Sequence, residues 1–386
     1  MSNSHKSSSL SIVIATGLAL FSMFFGSGNL VFPIAVGQES GGLYGHAALG
    51  IILSGVVVPF MGVFGMLLCK GDFARFFGAF GPRGRLLFAF LALALMGPFG
   101  VMARCLTVAH GALLTMFPEL SIVASSLILS IFIFALSLNK SRIMTSLGVV
   151  LTPFFLLAIG AIALMGFLNG GMPERLAVDG WAAFKNGYFQ GYQTMDLLAA
   201  FFFSQFIISH LYSMMPAAHD ERTVLKVFVK ASLLGAAILA TVYAALVTLG
   251  WIYSPILAGQ PPQEMLGLIA LAALGPFAAP CVCLAVVFAC VTTAMVLASL
   301  FADFLRCEIA KERIGNHTAL VVTLAIGFAV STLDFVGIAK FLGPLLETVY
   351  PALIVLTISN IVSWYFQCKN SHWPFTAAIV AKICSI

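Results

Sequence analysis

From Leu10 to Val36 the chain carries no charged side chain. A run this long and this apolar is the length of a bilayer-crossing helix, in which every backbone N–H and C=O must find its partner inside the protein. Its middle, however, reads Phe24-Phe25-Gly26-Ser27-Gly28-Asn29-Leu30-Val31-Phe32-Pro33. Each glycine costs a helix interior about 1 kcal/mol relative to alanine. An asparagine amide in hydrocarbon needs partners for both its donors and its acceptor. Two readings fit: a close helix crossing built on small residues, or a helix broken at Gly26–Asn29. A break frees N–H groups for an anionic ligand group and carbonyls for a small cation, and this is the working expectation.

The rest of the chain has the same grain. With 61% hydrophobic and 9% charged residues, a chain of this length has too little polar surface for a soluble domain and reads as a polytopic membrane protein. Apolar runs of about 20 residues predict spans at 10–36, 43–69, 85–116, 121–138, 143–168, 187–214, 223–252, 277–304, 316–334 and 341–366. The fold class is therefore all-α, a single transmembrane unit over 1–386 with about ten helices. Met1 to Ser9 is polar and is followed by a run too long for a signal-peptide core, so that run is kept as the first span. Lysine and arginine gather in alternate loops, at Lys70–Arg85, Lys140–Arg142, Arg222–Lys230 and Arg306–Arg313. The positive-inside rule then puts the N-terminus in the cytoplasm. No basic stripe suggests nucleic acid. The eight cysteines lie in spans or on the predicted inner side and imply no disulfide framework.

Five spans after the first, a second run is interrupted by Gly191-Tyr192-Gln193-Thr194-Met195-Asp196. A discontinuous helix in each half is the pointer to an inverted-repeat transporter, and an odd number of spans per repeat forces the copies into opposite orientations. The repeats are expected at about 10–168 and 187–366, with a tail at 367–386. Arg104, beyond an interruption at Gly97-Pro98, and Asp196 are unusual charges at membrane depth. Arg104 is either functional or a structural arginine bonded to carbonyls, and pairing with Asp196 is the expectation. Thr292 and Thr293 either bond back to carbonyls one turn earlier or offer hydroxyl oxygens to a hard cation. The seventh span shows no identifiable chemistry; Pro255 to Pro276 reads as an outside loop with a short helix, and Leu151-Thr152-Pro153 as a kink.

Leu20 to Pro33 and Gly191 to Asp196 are the strongest words of a resemblance that Leu151-Thr152-Pro153, Ala289-Cys290-Val291-Thr292-Thr293 and Tyr350-Pro351 extend in order from about Leu18 to Trp364. The chain resembles the bacterial branched-chain amino acid:cation symporters, which belong to the amino acid–polyamine–organocation superfamily and share the LeuT-like fold. The resemblance implies sodium-driven uptake of leucine, isoleucine or valine across the inner membrane by alternating access, as a monomer or weak homo-oligomer in the lipid bilayer. No enzymatic activity and no cofactor are implied; sodium is the coupling ion. It places the substrate against Gly26, Ser27, Gly28, Asn29, Tyr192, Gln193, Thr194, Met195 and Asp196. It places sodium at Ser22, Phe25, Ala289, Thr292 and Thr293, with a second cation near Phe24 and Asn29. Phe24, Phe25, Met195 and Phe201 to Phe203 are the candidate apolar wall for a branched side chain. Proton coupling, another neutral amino acid and a non-transporting sensor are the alternatives. Two features depart from the family: Ala103 stands where a proline usually precedes the arginine, and the residues after Pro374 are too few for another span and are expected at the interface.

Overall fold

The computed structural model describes residues 9–138, 156–173, 178–215, 221–366 and 373–384. Among the described residues the chain is all-α, without strands. The first apolar run is two helices, α1 (Ser9–Phe24) and α2 (Ser27–Gln38), bent by 73° at a two-residue break. α3 (Tyr44–Leu68) carries a π-helical turn at Leu53–Val57. α4 (Gly81–Met96) and α5 (Val101–Leu114) split the third run at Gly97–Gly100, as its Gly97-Pro98 pair predicts. α6 (Ile122–Ser137) and α7 (Leu156–Asn169) follow, and the Leu151-Thr152-Pro153 kink lies outside the described residues.

α8 (Gly180–Tyr192) and α9 (Asp196–Met214) form the second broken pair, and α10 (Glu221–Ile252) follows. α11 (Pro262–Phe304) bends at Gly275, whose φ of 78° is outside the helical range. α12 (Asn316–Ser331), α13 (Asp334–Tyr365) and α14 (Trp373–Cys384) complete the chain. Among the described residues five helices are long and apolar enough to cross a membrane, or six when the bent α1–α2 pair is one span; α6, α7, α12 and the start of α9 are shorter apolar helices.

Three predicted boundaries move for local reasons. α8 begins near residue 180 instead of 187 because the Asp179 side chain accepts from Ala182 N at 3.0 Å and caps the helix. α13 begins at Asp334, whose carboxylate accepts from Gly337 N at 2.8 Å, seven residues before the predicted span. Most of the predicted loop 255–276 is helical: a short helix at Ser254–Leu257 is followed by the outer arm of α11, which packs on α5 through Gly267 and Thr115.

Several crossings bring backbones into direct contact, and in the two closest a glycine of each helix lies on the other's backbone. A Cβ on Gly37 of α2 would fall on the Val247 carbonyl of α10, and one on Gly250 of α10 would fall on the Ile34 carbonyl of α2. α3 and α8 repeat the device: Gly50 lies on the Phe184 carbonyl and Gly187 on the Ala47 carbonyl. Small residues let membrane helices approach this closely, where dispersion and not water exclusion holds them. The half-helices next to each break are thereby fixed to a full-length neighbour.

Candidate functional site

The first break is made by local hydrogen bonding. Phe25 N closes the last turn of α1 on Phe21 O at 3.1 Å, and Gly26 is then extended, with φ −125° and ψ −170°. Asn29, one turn into α2, folds its Oδ1 back to accept from Gly26 N at 3.1 Å. The break is therefore held by the asparagine, and Gly26 does not need a glycine-only torsion; what its missing side chain provides is space, the nearest atoms to a Cβ there being Asn29 Oδ1 at 3.7 Å and Thr293 Cγ2 at 4.0 Å.

The second break is tighter. Thr194 donates its hydroxyl to Gly191 O at 2.9 Å, and Met195 N donates to Tyr192 O at 3.1 Å. Met195 itself is left-handed, φ 61° and ψ 19°, and buried. A non-glycine residue there costs about 1–2 kcal/mol, and the chain restarts as α9 at Asp196. Valine at this position is expected to be about 1–2 kcal/mol less stable than glycine, because β-branching aggravates the left-handed clash. Thermal melting of Met195→Val against Met195→Gly reads the difference, and equal melting points would remove the strain argument.

The two breaks meet. A Cβ on Gly28 would lie 3.4 Å from Thr194 Cα, so the backbones are in contact. Asn29 Nδ2 donates to Asp196 Oδ2 at 2.7 Å and reaches the Tyr243 hydroxyl at 2.6 Å, and Tyr243 also donates to Asp196 Oδ2 at 3.3 Å. One asparagine thus ties α2, α9 and α10 together. Tyr243 corrects the sequence reading of the seventh span, which found no chemistry there. A fully buried tyrosine in a span needs a partner for its hydroxyl, and that was the available signal. The π-turn of α3 closes the same corner: Ser54 Oγ donates to Tyr188 O at 2.7 Å, and Gly55 faces the Tyr243 ring. π-turns are often found at functional sites.

Arg104 does not pair with Asp196, contrary to expectation. Its Nη1 donates to the Gln193 carbonyl and its Nη2 to Gln193 Oε1, both at 2.6 Å. The guanidinium carbon lies 5.1 Å from the Phe32 ring centroid and 5.5 Å from that of Phe335. The reason is geometric: the break turns the Gln193 carbonyl out of the helix toward α5, while Asp196 is already engaged from α2 and α10. Next to Arg104, Cys105 Sγ lies 3.3 Å from Ser27 Oγ. Tyr192 is buried and its ring stands 4.9 Å from that of Tyr350 on α13.

On the other side of the first break lie the residues expected to hold sodium. The Thr293 methyl carbon would lie 4.0 Å from a Cβ on Gly26. Thr292 Oγ1 donates to Phe288 O and Ala289 O at 3.0 Å, and Thr293 Oγ1 donates to Ala289 O at 2.9 Å. Both hydroxyls thus take the back-bonding option, which directs their hydrogens along the helix and keeps oxygen lone pairs for another ligand. Ser22 is exposed and Phe25 half-buried on this side of the break, whereas Ser27 to Ile34 are buried. The apolar wall is narrower than expected. Phe201 and Phe202, more than a turn into α9, pack on Phe73, Phe76 and Phe77 after α3, away from the breaks. Phe24 packs on Phe60, and Phe25 and Met195 remain next to the breaks. Among the described residues no group of three or more His, Cys, Asp or Glu is placed to hold a metal.

Two discontinuous helices joined break to break within a bundle of apolar helices define a multi-pass membrane transporter of the LeuT-like class. Solved structures agree on the fold: Mhp1 in its inward-facing conformation aligns with a TM-score of 0.65 at 15% identity, over 92% of this chain and 77% of that one. A mutant of the Eremococcus coleocola manganese transporter aligns with a TM-score of 0.58 at 16% identity, over 99% and 86%. The chain belongs to the branched-chain amino acid transport protein family, whose model matches residues 9–386. Its relatives include a protein of Staphylococcus aureus strain bovine RF122 / ET3-1, provisionally named a branched-chain amino acid carrier, 25% identical over 94% of this chain and 85% of its own length. A Staphylococcus epidermidis protein with the same provisional name is 26% identical over 95% and 85%. This is a family of transporters, not of enzymes.

Proposed function

We propose that this protein imports leucine, isoleucine and valine across the bacterial inner membrane by sodium symport, with its N-terminus in the cytoplasm. The observation that carries the reading is the Asn29–Asp196 junction, which puts the N-termini of α2 and α9 and the loose backbone of both breaks at one point. The N-terminus of α2 favours a carboxylate, and broken helices in a membrane are tolerated where they line a site. Gly26, Ser27, Gly28, Asn29 and Tyr192 to Asp196 bind the substrate in this reading. Ser22, Phe25, Ala289, Thr292 and Thr293 bind sodium. One methylene in an apolar pocket is worth roughly 1–3 kcal/mol, so discrimination among the three amino acids is modest.

A five-plus-five inverted repeat of ten spans is supported by the packing. α1 and α2 both lie on α10, while α8 and α9 both lie on α3. Each broken helix is therefore backed by the second span of the opposite repeat, the exchange that a two-fold axis in the membrane plane produces.

The test is uptake of radiolabelled leucine, isoleucine and valine into proteoliposomes under an inward sodium gradient, an inward proton gradient, or neither. Accumulation that requires sodium is the expected result. Proton-driven accumulation would overturn the sodium assignment, and binding without accumulation would make the protein a sensor.

A further inference from the structure

Arg104 is 1% exposed and Asp196 3%. They lie on either side of the same short turn, Gln193–Met195, yet each is held by neutral groups: Arg104 by Gln193, Asp196 by Asn29 and Tyr243. Among the described residues neither makes an ion pair, and Arg104 Nε has no hydrogen-bond partner. Charges at membrane depth are retained at a cost and are mostly paired with one another. Two opposite charges held at the two ends of one turn, neither neutralised by the other, are complementary to a molecule that carries both signs itself.

We propose that Arg104 and Asp196 form a clamp for the zwitterionic head of the substrate, Arg104 taking its carboxylate and Asp196 its ammonium; this rests on the amino-acid transport reading above. The guanidinium fork matches a carboxylate through two parallel hydrogen bonds. Gln193 Oε1, which now accepts from Nη2, is the neutral group that the carboxylate displaces. The faces of Phe32 and Phe335 hold the guanidinium plane in place. At Asp196, Asn29 and Tyr243 both address Oδ2, and Oδ1 is the oxygen that receives the ammonium. Arg104 thereby acts in substrate selection and is not only a brace for the break. Its preferred ligands are α-amino acids with neutral side chains, and amines or carboxylates of the same shape are rejected.

The experiment measures binding to the purified full-length protein by competition with tritiated leucine. The probes are leucine, isopentylamine, which lacks the carboxylate, and 4-methylpentanoate, which lacks the ammonium. In the unmodified protein leucine is expected to outcompete each analogue by about 100-fold. Arg104→Gln is expected to bring the leucine-to-isopentylamine ratio below about tenfold and to leave Arg104→Lys, which keeps the charge, above it. Asp196→Asn is expected to collapse the leucine-to-4-methylpentanoate ratio instead. Ratios in both neutral variants that stay within about threefold of the unmodified protein, with all probes weakened alike, would overturn the clamp and leave the charges a structural role. If Arg104→Gln does not purify as a monodisperse species, the Asp196→Asn ratio decides by itself. Failure of the unmodified protein to bind leucine, isoleucine or valine would sink the proposed substrates; the ratios are then read on whichever amino acid binds. Binding of none of the twenty would sink the clamp as well.

Discussion

Replacing Asn29 by alanine is expected to lower uptake at least about 100-fold, the equivalent of some 2.7 kcal/mol of lost stabilisation. The side chain performs three tasks at once: it accepts from Gly26 N, donates to Asp196 and reaches Tyr243. Removing it strands the partly buried Gly26 N–H and strips the Asp196 carboxylate of its shortest donor. Each stranded group costs about 1–3 kcal/mol, so the melting temperature of the purified protein falls together with transport. Asn29→Asp separates the two effects. It keeps the shape and the acceptor for Gly26 but puts a second carboxylate beside the first, so it is expected to lose transport while remaining folded. Uptake near the normal rate in the alanine variant would show that the junction of the breaks is not the transport site.

Thr292→Ala combined with Thr293→Ala is expected to raise the sodium concentration for half-maximal uptake by at least about tenfold, which corresponds to 1.4 kcal/mol. Both hydroxyls donate back to carbonyls of the preceding turn, which leaves their oxygen lone pairs as neutral hard ligands for a cation. Serine at both positions keeps these oxygens and is expected to keep sodium activation. Sodium activation unchanged in the double alanine variant would remove this site from the coupling mechanism, and the amino acid site would be unaffected by that result.

The breaks themselves were legible because glycine, serine and asparagine in hydrocarbon contradict the run around them, and the partner surfaces were not. Nothing in the linear order says that the Gln193 carbonyl turns toward α5, so Arg104 and Asp196, the two conspicuous charges, were matched to each other. Tyr243 was overlooked for a related reason: one hydroxyl in an apolar span is an unremarkable letter until its two neighbours are brought to it. Phe201 and Phe202 were assigned to the wrong place because apolar residues close to a break in sequence are carried more than a turn away by a rise of 1.5 Å per residue. The outer arm of α11 was read as loop because Pro255, Pro261, Pro262 and Pro276 punctuate it; proline at a first helical turn is instead a start signal.

The glycine crossings of α2 with α10 and of α3 with α8 have a mechanical corollary. Where backbone touches backbone there is no side chain to yield, and packed surfaces of that kind shift between discrete arrangements instead of deforming smoothly. α2 with α10, and α8 with α3, are therefore rigid bodies of this machine; the turn at Gly26 joins the first to α1, and the turn at Met195 joins the second to α9. Distances measured within either pair form a fixed reference frame, against which the stroke of α9 can be recorded.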